Sequence, residues 1–291
     1  MKITELLARG GRTLSFEVFP PKTDTAFSGV KAATEEIAAL GPAFVSVTYG
    51  AGGGTSRYTL EIARNIRDRF GVPTLAHLTC VSGTKKSVKE RIEALKDAGI
   101  ENVMALRGDL TEEMAGQDRS AWDYRHAVDL VRDLRESGAD FCIGGACYPE
   151  VHPESADSRA DILHLKEKVD AGVDFLTTQM FFDNGLYYSF LYRLREAGIT
   201  VPVIPGIMPI TAARQVERAL KLSGSYMPHR FQSLVDAFGT DDGAMLEAGV
   251  IYALDQIIDL YANGIRHIHV YTMNKPEVAR RILAGLAGIL S

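Results

Sequence analysis

Polar residues stand at the ends of short apolar segments throughout the sequence, and they are of types that bind ligands and move protons. The set is Glu17, Thr48, His77, Arg107-Gly108-Asp109, Tyr148, His152, Gln179 and Tyr271. Any one of these residues could have a purely structural role. If the segments are strands whose carboxyl ends meet at one face, all of the residues lie together and form a site.

Glu17 has the residue type and the setting of a general acid. It lies in the apolar segment SFEVF, where an ionised carboxylate is costly to bury. Such surroundings favour the protonated carboxyl near neutral pH, which is the form that donates a proton. The alternative is a strand-end glutamate that forms a salt bridge with a helix.

Two further segments carry candidate ligand contacts. Asp109 follows Arg107 and Gly108, and a glycine lets the backbone approach a ligand closely. The alternative role of Asp109 is to cap the next helix. The loop YPEVHPE, after the fifth predicted strand, holds His152 between two prolines, so it suits either ligand contact or a simple turn.

Two of the seven histidines, His267 and His269, alternate along one predicted strand. This spacing is compatible with a metal pair of the kind found in barrel hydrolases. Both histidines lie early in the strand, and no carboxylate cluster accompanies them. Polar filling of a barrel interior is therefore the favoured interpretation, and we predict no metal site.

The elements that must position these residues are eight short runs rich in β-branched and aromatic residues. The runs are Thr13–Phe19, Phe44–Tyr49, Thr74–Cys80, Asn102–Arg107, Ala139–Tyr148, Phe175–Phe181, Val201–Met208 and His267–Met273. Their nearly continuous hydrophobicity is typical of parallel strands that are covered on both faces.

Amphipathic segments between the runs predict helices. Lys85–Ala98 places Val88, Ile92, Leu95 and Ala98 on one stripe and ends at Gly99, a favourable helix stop. The segments 160–171 and 184–197 end at glycines in the same way. Repeated strand–helix units predict an α/β fold, a (β/α)₈ TIM barrel, with an inserted helical segment over 227–262 before the last strand.

An open doubly wound sheet is the alternative fold. Its dinucleotide fingerprint would follow the first strand, where this sequence has Pro20-Pro21 instead. The glycine cluster 50–55 matches only half of that fingerprint. A flexible loop over an active site is the better interpretation of the cluster.

Composition excludes several classes of protein. With 46% hydrophobic and 24% charged residues, the 291-residue chain can fold as one large domain. Its net charge of −5 without a basic run argues against nucleic acid. The sequence has no apolar stretch of about 18 residues and no signal-peptide core, so we expect a cytoplasmic protein that does not enter membranes. Three cysteines without CxxC spacing predict buried thiols in a reducing compartment.

Eight motifs, spread in barrel order over nearly the whole chain, resemble those of the methylenetetrahydrofolate reductases of the bacterial type. The motifs are SFEVFPPK, FVSVTYGAGGGT, HLTC, ALRGD, YPEVHPES, TTQMFFDN, IPGIMP and HVYTMNK. The resemblance implies a single FAD-binding barrel domain over 1–291 that reduces 5,10-methylenetetrahydrofolate to 5-methyltetrahydrofolate with NADH or NADPH. It also implies a homo-oligomer, and no regulatory extension of the eukaryotic kind is expected.

The resemblance further assigns roles to individual residues. It implies that Glu17 is the general acid and that Asp109 lies near the flavin and the pterin, so these two are the predicted catalytic residues. The implied FAD contacts are Thr48, Tyr49, Ala51, His77, Leu106, Arg107, Gly108, Asp109, Ala127, Tyr148, His152, Asp161, His164 and Lys168. The implied folate contacts are Glu17, Asp109, Gln179, Gln215, Tyr271 and Lys275.

The sequence departs from the family at the predicted adenosine end of FAD. His126 stands where Tyr is frequent, His164 where some relatives have Asn, and Glu167 where some have Arg. Two other functions remain open at this stage. One is a metal-dependent barrel hydrolase, and the other is a flavin- or folate-binding protein without turnover.

Overall fold

The structure is a computed structural model that describes residues 1–21, 23–49, 56–110, 114 and 122–290. Its strands are β1 Thr13–Val18, β2 Val45–Val47, β3 Thr74–Thr79, β4 Asn102–Leu106, β5 Cys142–Cys147, β6 Phe175–Thr178, β7 Val203–Ile204, β8 Gly206–Ile207 and β9 His267–Tyr271. Every strand pair is parallel, in the order β7-β6-β5-β4-β3-β2-β1-β9-β8.

Pro205 divides the seventh predicted strand into β7 and β8. A proline has no N–H to offer a neighbouring strand, so the ladder is interrupted there. β7 pairs with β6 and β8 pairs with β9, while the N–H of His269 donates to the Pro205 carbonyl at 3.0 Å. The two fragments together close the sheet, so the nine strands found in the described residues occupy eight barrel positions. The predicted (β/α)₈ barrel is therefore confirmed.

Helices alternate with the strands around the outside of the barrel. They are α1 Ile3–Ala8, α2 Phe27–Ala39, α3 Ser56–Phe70, α4 Lys85–Asp97, α5 Ala127–Glu136, α6 Ser158–Asp170, α7 Asn184–Glu196, α8 Arg214–Ser223, α9 His229–Phe238, α10 Asp242–Ala262 and α11 Pro276–Leu290. Helix α4 shows the predicted pattern, because Val88, Ile92 and Leu95 are buried. No helix in the described part of the chain is long and apolar enough to cross a membrane.

The two faces of each strand pack in different places, one against the helices and one inside the barrel. On β1, Leu14, Phe16 and Val18 face the helices and join the main apolar core. The alternate residues Ser15 and Glu17 face the barrel interior, as expected for the two-residue period of a strand. The buried free thiols Cys80, Cys142 and Cys147 lie within these strands or directly after them.

Helix α1, which the sequence analysis did not predict, closes the amino-terminal end of the barrel. Its residues Ile3, Leu6 and Leu7 pack against Phe44 and Phe175 inside the barrel. The short, weakly periodic segment gives little helical signal by itself. Its stability comes from the apolar surface that it buries.

The inserted helical segment is confirmed as α9 and α10. Together with α8 they form a third apolar cluster around Phe231 and Met245. Gly249 of α10 packs directly on the main chain after β8, since a Cβ there would lie 1.8 Å from the Ile210 carbonyl oxygen. The insertion therefore packs onto the barrel.

Candidate active site

A cavity of about 520 Å³ opens at the carboxyl ends of the strands. It contains many residues that the sequence analysis selected. Those that line it are Glu17, Thr48, Tyr49, His77, Leu106, Arg107, Gly108, Asp109, Ala127, Tyr148, His152, Asp161, His164, Lys168, Gln179 and Tyr271. The shared position follows from the parallel strands, whose carboxyl ends all reach the same face.

Glu17 projects from β1 into the bottom of this cavity. Its side chain is 22% exposed, and its neighbours are polar, which differs from the apolar setting that the sequence analysis expected. The Ser46 hydroxyl lies 3.3 Å from Oε2, while Nε2 of His77 and of His269 lie at 3.7 and 3.9 Å. The sequence run SFEVF looks apolar because Phe16 and Val18 face the helices, not the site.

His77 is the second buried group beside Glu17. Its desolvation lowers the pKa to about 4, a stronger effect than the attraction of Glu17, and the imidazole is therefore neutral near pH 7. Nε2 of His77 has no hydrogen-bond partner among the described residues. A buried polar atom of this kind needs a partner, and here it borders the cavity, so a ligand can supply one.

The segment after β4 forms one wall of the cavity. Arg107 makes a two-pronged ion pair with Glu154, with both N–O distances at 2.7 Å, and this contact raises the Arg107 pKa despite partial burial. Gly108 has φ +93°, and a Cβ there would lie 2.7 Å from Cγ1 of Val81. Asp109 is exposed at the rim of the cavity, and most of the segment in which a helix capped by it would begin lies outside the described residues.

The loop between β5 and α6 forms the adjoining wall, and hydrogen bonds within the loop hold its shape. Asp161 accepts from the His152 N–H at 3.2 Å and from the Ser155 hydroxyl at 2.9 Å. The rings of Tyr148 and His152 meet edge to face at 4.6 Å. Burial lowers the pKa of His152, so its imidazole favours the neutral form. Asp161 therefore holds the loop that presents His152.

Lys168 of α6 is half-buried beside the cavity. Its ammonium group donates to the carbonyl of Ala146, and burial lowers its pKa. A bound anion would offset that desolvation, which suits a phosphate-bearing ligand. Nearby, the rings of His126 and His164 face each other with centroids 6.4 Å apart and planes inclined by 20°. Glu167 is paired with Arg132 at 2.7 Å.

The residues predicted to contact folate are divided between two places. Gln179 and Tyr271 line the main cavity, and the Tyr271 hydroxyl donates to the Thr178 carbonyl at 2.6 Å. Gln215 instead accepts from the N–H of Thr211 at 2.8 Å, and Lys275 donates to the Thr211 hydroxyl at 2.7 Å. Lys275 lines a second, more open depression beside the first. Ala51 lies outside the described residues.

The cavity fits a large polar cofactor such as FAD. Three buried polar atoms that border it have no hydrogen-bond partner within the part of the chain that the structure describes, namely Tyr49 Oη, His77 Nε2 and Thr177 Oγ1. At Gly108 the main chain itself forms the wall, which allows close approach by a ligand. Within the described ranges, no group of three or more His, Cys, Asp or Glu side chains could hold a metal ion.

The two strand histidines are polar filling of the barrel interior, as predicted. His267 contacts the Thr13 hydroxyl at 2.8 Å and the Leu7 carbonyl at 3.1 Å. His269 contacts the hydroxyls of Ser15 and Ser46 at 2.8 and 3.0 Å. Each of the two histidines is therefore held by its own set of protein partners.

Three residues at the site were not predicted from the sequence, namely Ser46, Thr177 and Glu154. Ser46 lies below the cavity, and the sequence signal for it was its two-residue spacing from Thr48, which follows β2 directly. Thr177 follows the same rule, two residues before Gln179. Glu154 had no such signal, because only folding brings it next to Arg107.

The fold and the cavity together define the class of (β/α)₈-barrel proteins whose ligand site lies at the carboxyl ends of the strands. The sequence model of the family described as methylenetetrahydrofolate reductase matches residues 2–287. The chain belongs to this family.

Individual relatives agree with this membership. The chain is 36% identical to 5,10-methylenetetrahydrofolate reductase of Escherichia coli, over 94% of this chain and 90% of that protein. It is 34% identical to the maize protein named methylenetetrahydrofolate reductase (NADH) 1, over 98% of this chain and 50% of the maize protein. A solved Clostridium thermocellum protein, described as binding two copies of 5-methyl-5,6,7,8-tetrahydrofolic acid, superposes with a TM-score of 0.70 over 98% of both chains. At 15% identity, that match shows the fold alone.

Proposed function

We propose that this protein reduces 5,10-methylenetetrahydrofolate to 5-methyltetrahydrofolate, with hydride passed from NADH or NADPH through FAD. The observation that carries the proposal is the single cavity in which Glu17 meets the residues predicted for FAD. Family membership supports the reaction, and the maize relative's name supports NADH as a reductant. Bound FAD would accept the hydride and deliver it to the folate.

Residues along the cavity walls would hold the cofactor. Lys168 is suited to the diphosphate, because an anion offsets the cost of burying its ammonium group. His77 Nε2 and Tyr49 Oη offer unpaired polar atoms to the flavin ring or to the chain attached to it. The histidines His126 and His164 would face the adenosine end, where this chain departs from its family.

Glu17 would supply the proton that activates the substrate. Protonation of the folate opens its five-membered ring to a reactive iminium ion, and the exocyclic methylene then accepts hydride. A carboxyl that is only 22% exposed, at the base of the cavity in which the substrate would bind, suits a general acid. Its polar neighbours keep the carboxyl oriented.

Asp109 would orient the substrate. Its carboxylate, exposed at the cavity rim, can accept hydrogen bonds from the amino-pyrimidine edge of the pterin. Its negative charge would also disfavour accumulation of negative charge on the nearby flavin, which assists hydride release.

The test is to follow the two half-reactions of the purified protein separately under anaerobic conditions. NADH or NADPH should bleach the flavin absorbance, and methylenetetrahydrofolate should restore it with formation of the methyl product. A reduced ferredoxin tested in parallel identifies the preferred electron donor. A protein that cannot take up FAD would contradict the proposal.

Glu17→Gln separates turnover from simple binding. The variant should keep flavin reduction by the nucleotide and lose folate reduction by about 100-fold or more. If the wild type binds flavin and folate but neither half-reaction proceeds, the protein is a binding protein. If both half-reactions survive in Glu17→Gln, Glu17 is not the acid.

A further inference from the structure

A chain of four polar contacts runs from Glu17 into the closed interior of the barrel. Glu17 Oε2 lies 3.3 Å from Ser46 Oγ, which lies 3.0 Å from His269 Nε2. His269 Nδ1 lies 2.8 Å from Ser15 Oγ, which lies 3.1 Å from the Ile268 carbonyl oxygen. Ser15, Ser46 and His269 are each at most 2% exposed, so water does not compete for these contacts.

The four contacts between Glu17 and the Ile268 carbonyl together require four hydrogens. Each of the four contacts needs one hydrogen, and the Ile268 carbonyl can only accept. The hydroxyls of Ser15 and Ser46 supply one hydrogen each, and a neutral His269 supplies one. With an ionised Glu17, three hydrogens must serve four contacts, so one buried contact would be lost. A fourth hydrogen, on Glu17 or on His269, completes the chain.

We propose that Glu17 and His269 share one proton through Ser46, and that His269 is a positioning residue that keeps Glu17 ready to protonate the substrate. The second part rests on the proposed function, in which Glu17 is the general acid. The first part concerns only the protonation of the resting protein.

Two arrangements of hydrogens satisfy all four contacts. In the first, Glu17 is neutral and donates to Ser46, which donates to Nε2 of a neutral His269. In the second, His269 is an imidazolium that donates from Nε2 to Ser46, which donates to the Glu17 carboxylate. Moving one hydrogen at each of the two upper contacts interconverts them, with no net gain or loss of protons. In both arrangements Nδ1 of His269 carries a hydrogen.

Among the described residues, two other titratable groups face Glu17, and neither shares a proton with it. His77, from β3, has a pKa lowered to about 4 by burial, and its Nε2 is 3.7 Å from the carboxylate, beyond hydrogen-bond distance. Tyr271, from β9, donates its hydroxyl hydrogen to the Thr178 carbonyl. Burial and the charge of Glu17 raise the Tyr271 pKa, so the phenol keeps its proton.

His267 provides a matched comparison two residues earlier on the same strand. It makes two contacts, with the Thr13 hydroxyl and with the Leu7 carbonyl. The Thr13 hydroxyl and a neutral imidazole supply the two hydrogens needed, so no extra proton is required. Because Leu7 offers only an acceptor, the hydrogen of His267 must lie on Nε2, opposite to the predicted state of His269.

The first test is imidazole ¹⁵N NMR of the FAD-loaded wild type near pH 7, with His269→Gln and His267→Gln used to assign the signals. We expect a protonated Nδ1 in His269 and a protonated Nε2 with a bare Nδ1 in His267. The proposal is overturned by a neutral His269 with its hydrogen on Nε2. It is equally overturned by a neutral His269 beside an ionised Glu17, which the carboxylate band in the infrared difference spectrum between the wild type and Glu17→Gln reports. This result does not depend on whether the protein reduces folate.

The second test measures both half-reactions against pH in Ser46→Ala, which keeps both titratable groups and removes the link, and in His269→Gln. We expect flavin reduction by NADH to stay within about twofold, and folate reduction to fall by about tenfold. The pH above which folate reduction declines should also move down by about one unit. His267→Gln should keep the wild-type profile.

The possible outcomes separate the two proposals. If the wild type performs neither half-reaction, the proposed function fails, while the NMR result still judges the shared proton. If the wild type performs both and neither variant changes the folate pH profile, His269 does not position Glu17. A fall in rate at every pH with an unchanged profile would likewise overturn the positioning role, because that is the behaviour of a merely structural residue.

Discussion

At the residue scale, the chemistry of the site depends on polar side chains that a barrel interior holds away from water. Glu17, Ser46, His77 and His269 come from four different strands and meet below the cavity. Each is flanked in sequence by apolar residues that face the helices. Burial therefore removes water from each of these four groups separately. Its effect is clearest on the pKa of His77.

His77 should make the folded protein sensitive to acid. Its pKa falls from 6.5 to about 4 on folding, so between these values the unfolded chain binds more protons. The free energy of unfolding should then decrease as pH falls from 6.5 towards 4, by about 3 kcal/mol in total. His77→Gln should lose most of this dependence in urea unfolding measured across that range. Exposed His229→Gln is the control, and an equal loss in both variants would contradict the explanation.

Gly108 should be sensitive to a single methyl group. Gly108→Ala places a Cβ at φ +93° and 2.7 Å from Val81, which also lines the cavity. We expect a loss of roughly 2–3 kcal/mol in stability and weaker FAD binding, because Val81 must move into the site. Urea unfolding and flavin fluorescence titration measure the two effects.

Gly138→Ala is the control for backbone strain alone. Gly138 has φ +71°, and a Cβ there meets nothing within 4 Å. It should cost about 1 kcal/mol and leave FAD affinity unchanged. If Gly108→Ala behaves in the same way, close packing at Gly108 does not shape the site.

At the scale of elements, the barrel needs closing at its amino-terminal end, and α1 provides the closure. The N–H of Ile3 donates to the Asn102 side chain at 2.8 Å, and the Asn102 amide donates to the Thr74 carbonyl at 3.1 Å. This anchoring joins α1 to β3 and β4. The apolar residues of α1 then fill the space below the polar layer of the site.

Leu6→Ala should therefore destabilise the barrel without changing the site. Leu6 is buried within the interior cluster, and its truncation should cost about 2–4 kcal/mol. FAD affinity should remain at the wild-type value, since the cavity opens at the other end of the strands. Ile251→Ala, on the exposed face of α10, should cost less than about 0.5 kcal/mol. Equal losses in the two variants would show that α1 is not a structural closure.

Periodicity could predict the repeating elements but not the irregular ones. The strand and helix runs, the stops at Gly99 and Gly198 and the insertion all follow from local patterns. Helix α1 is stabilised by distant residues, and the break at Pro205 depends on which neighbours the two fragments find. These features depend on contacts far apart in sequence, which local propensity does not encode.

The site likewise has parts that follow from local sequence patterns and parts that depend on contacts between distant residues. Polar residues at strand ends predicted most of the lining, because the fold fixes where strand ends go. The setting of Glu17 was predicted incorrectly, since its apolar sequence neighbours face outward and Ser46 and His269 come from other strands. The pair of Arg107 with Glu154 was missed because it joins two loops after different strands.

At the scale of the whole molecule, the insertion and the barrel are joined by hydrogen bonds as well as by apolar packing. The hydroxyl of Tyr252 in α10 donates to the Phe182 carbonyl at 2.6 Å, and that of Tyr261 donates to the Thr13 carbonyl at 3.0 Å. One helix thus contacts the segment after β6 and the start of β1. This bracing favours unfolding of the described chain as one cooperative unit.

FAD should therefore stabilise the whole molecule and not only the walls of its cavity. A ligand that binds the folded state alone adds about 2.7 kcal/mol at 100 times its Kd, which for a chain of this size raises Tm by roughly 5 °C. Far-ultraviolet circular dichroism and flavin fluorescence should report the same single transition, and both should shift together as FAD is added. The aromatic cluster of Phe182, Phe231 and Tyr252 gives an independent near-ultraviolet signal for the insertion. If that signal were lost at a lower temperature that did not respond to FAD, α8 to α10 would form a separate unit, and the single-domain interpretation would be wrong.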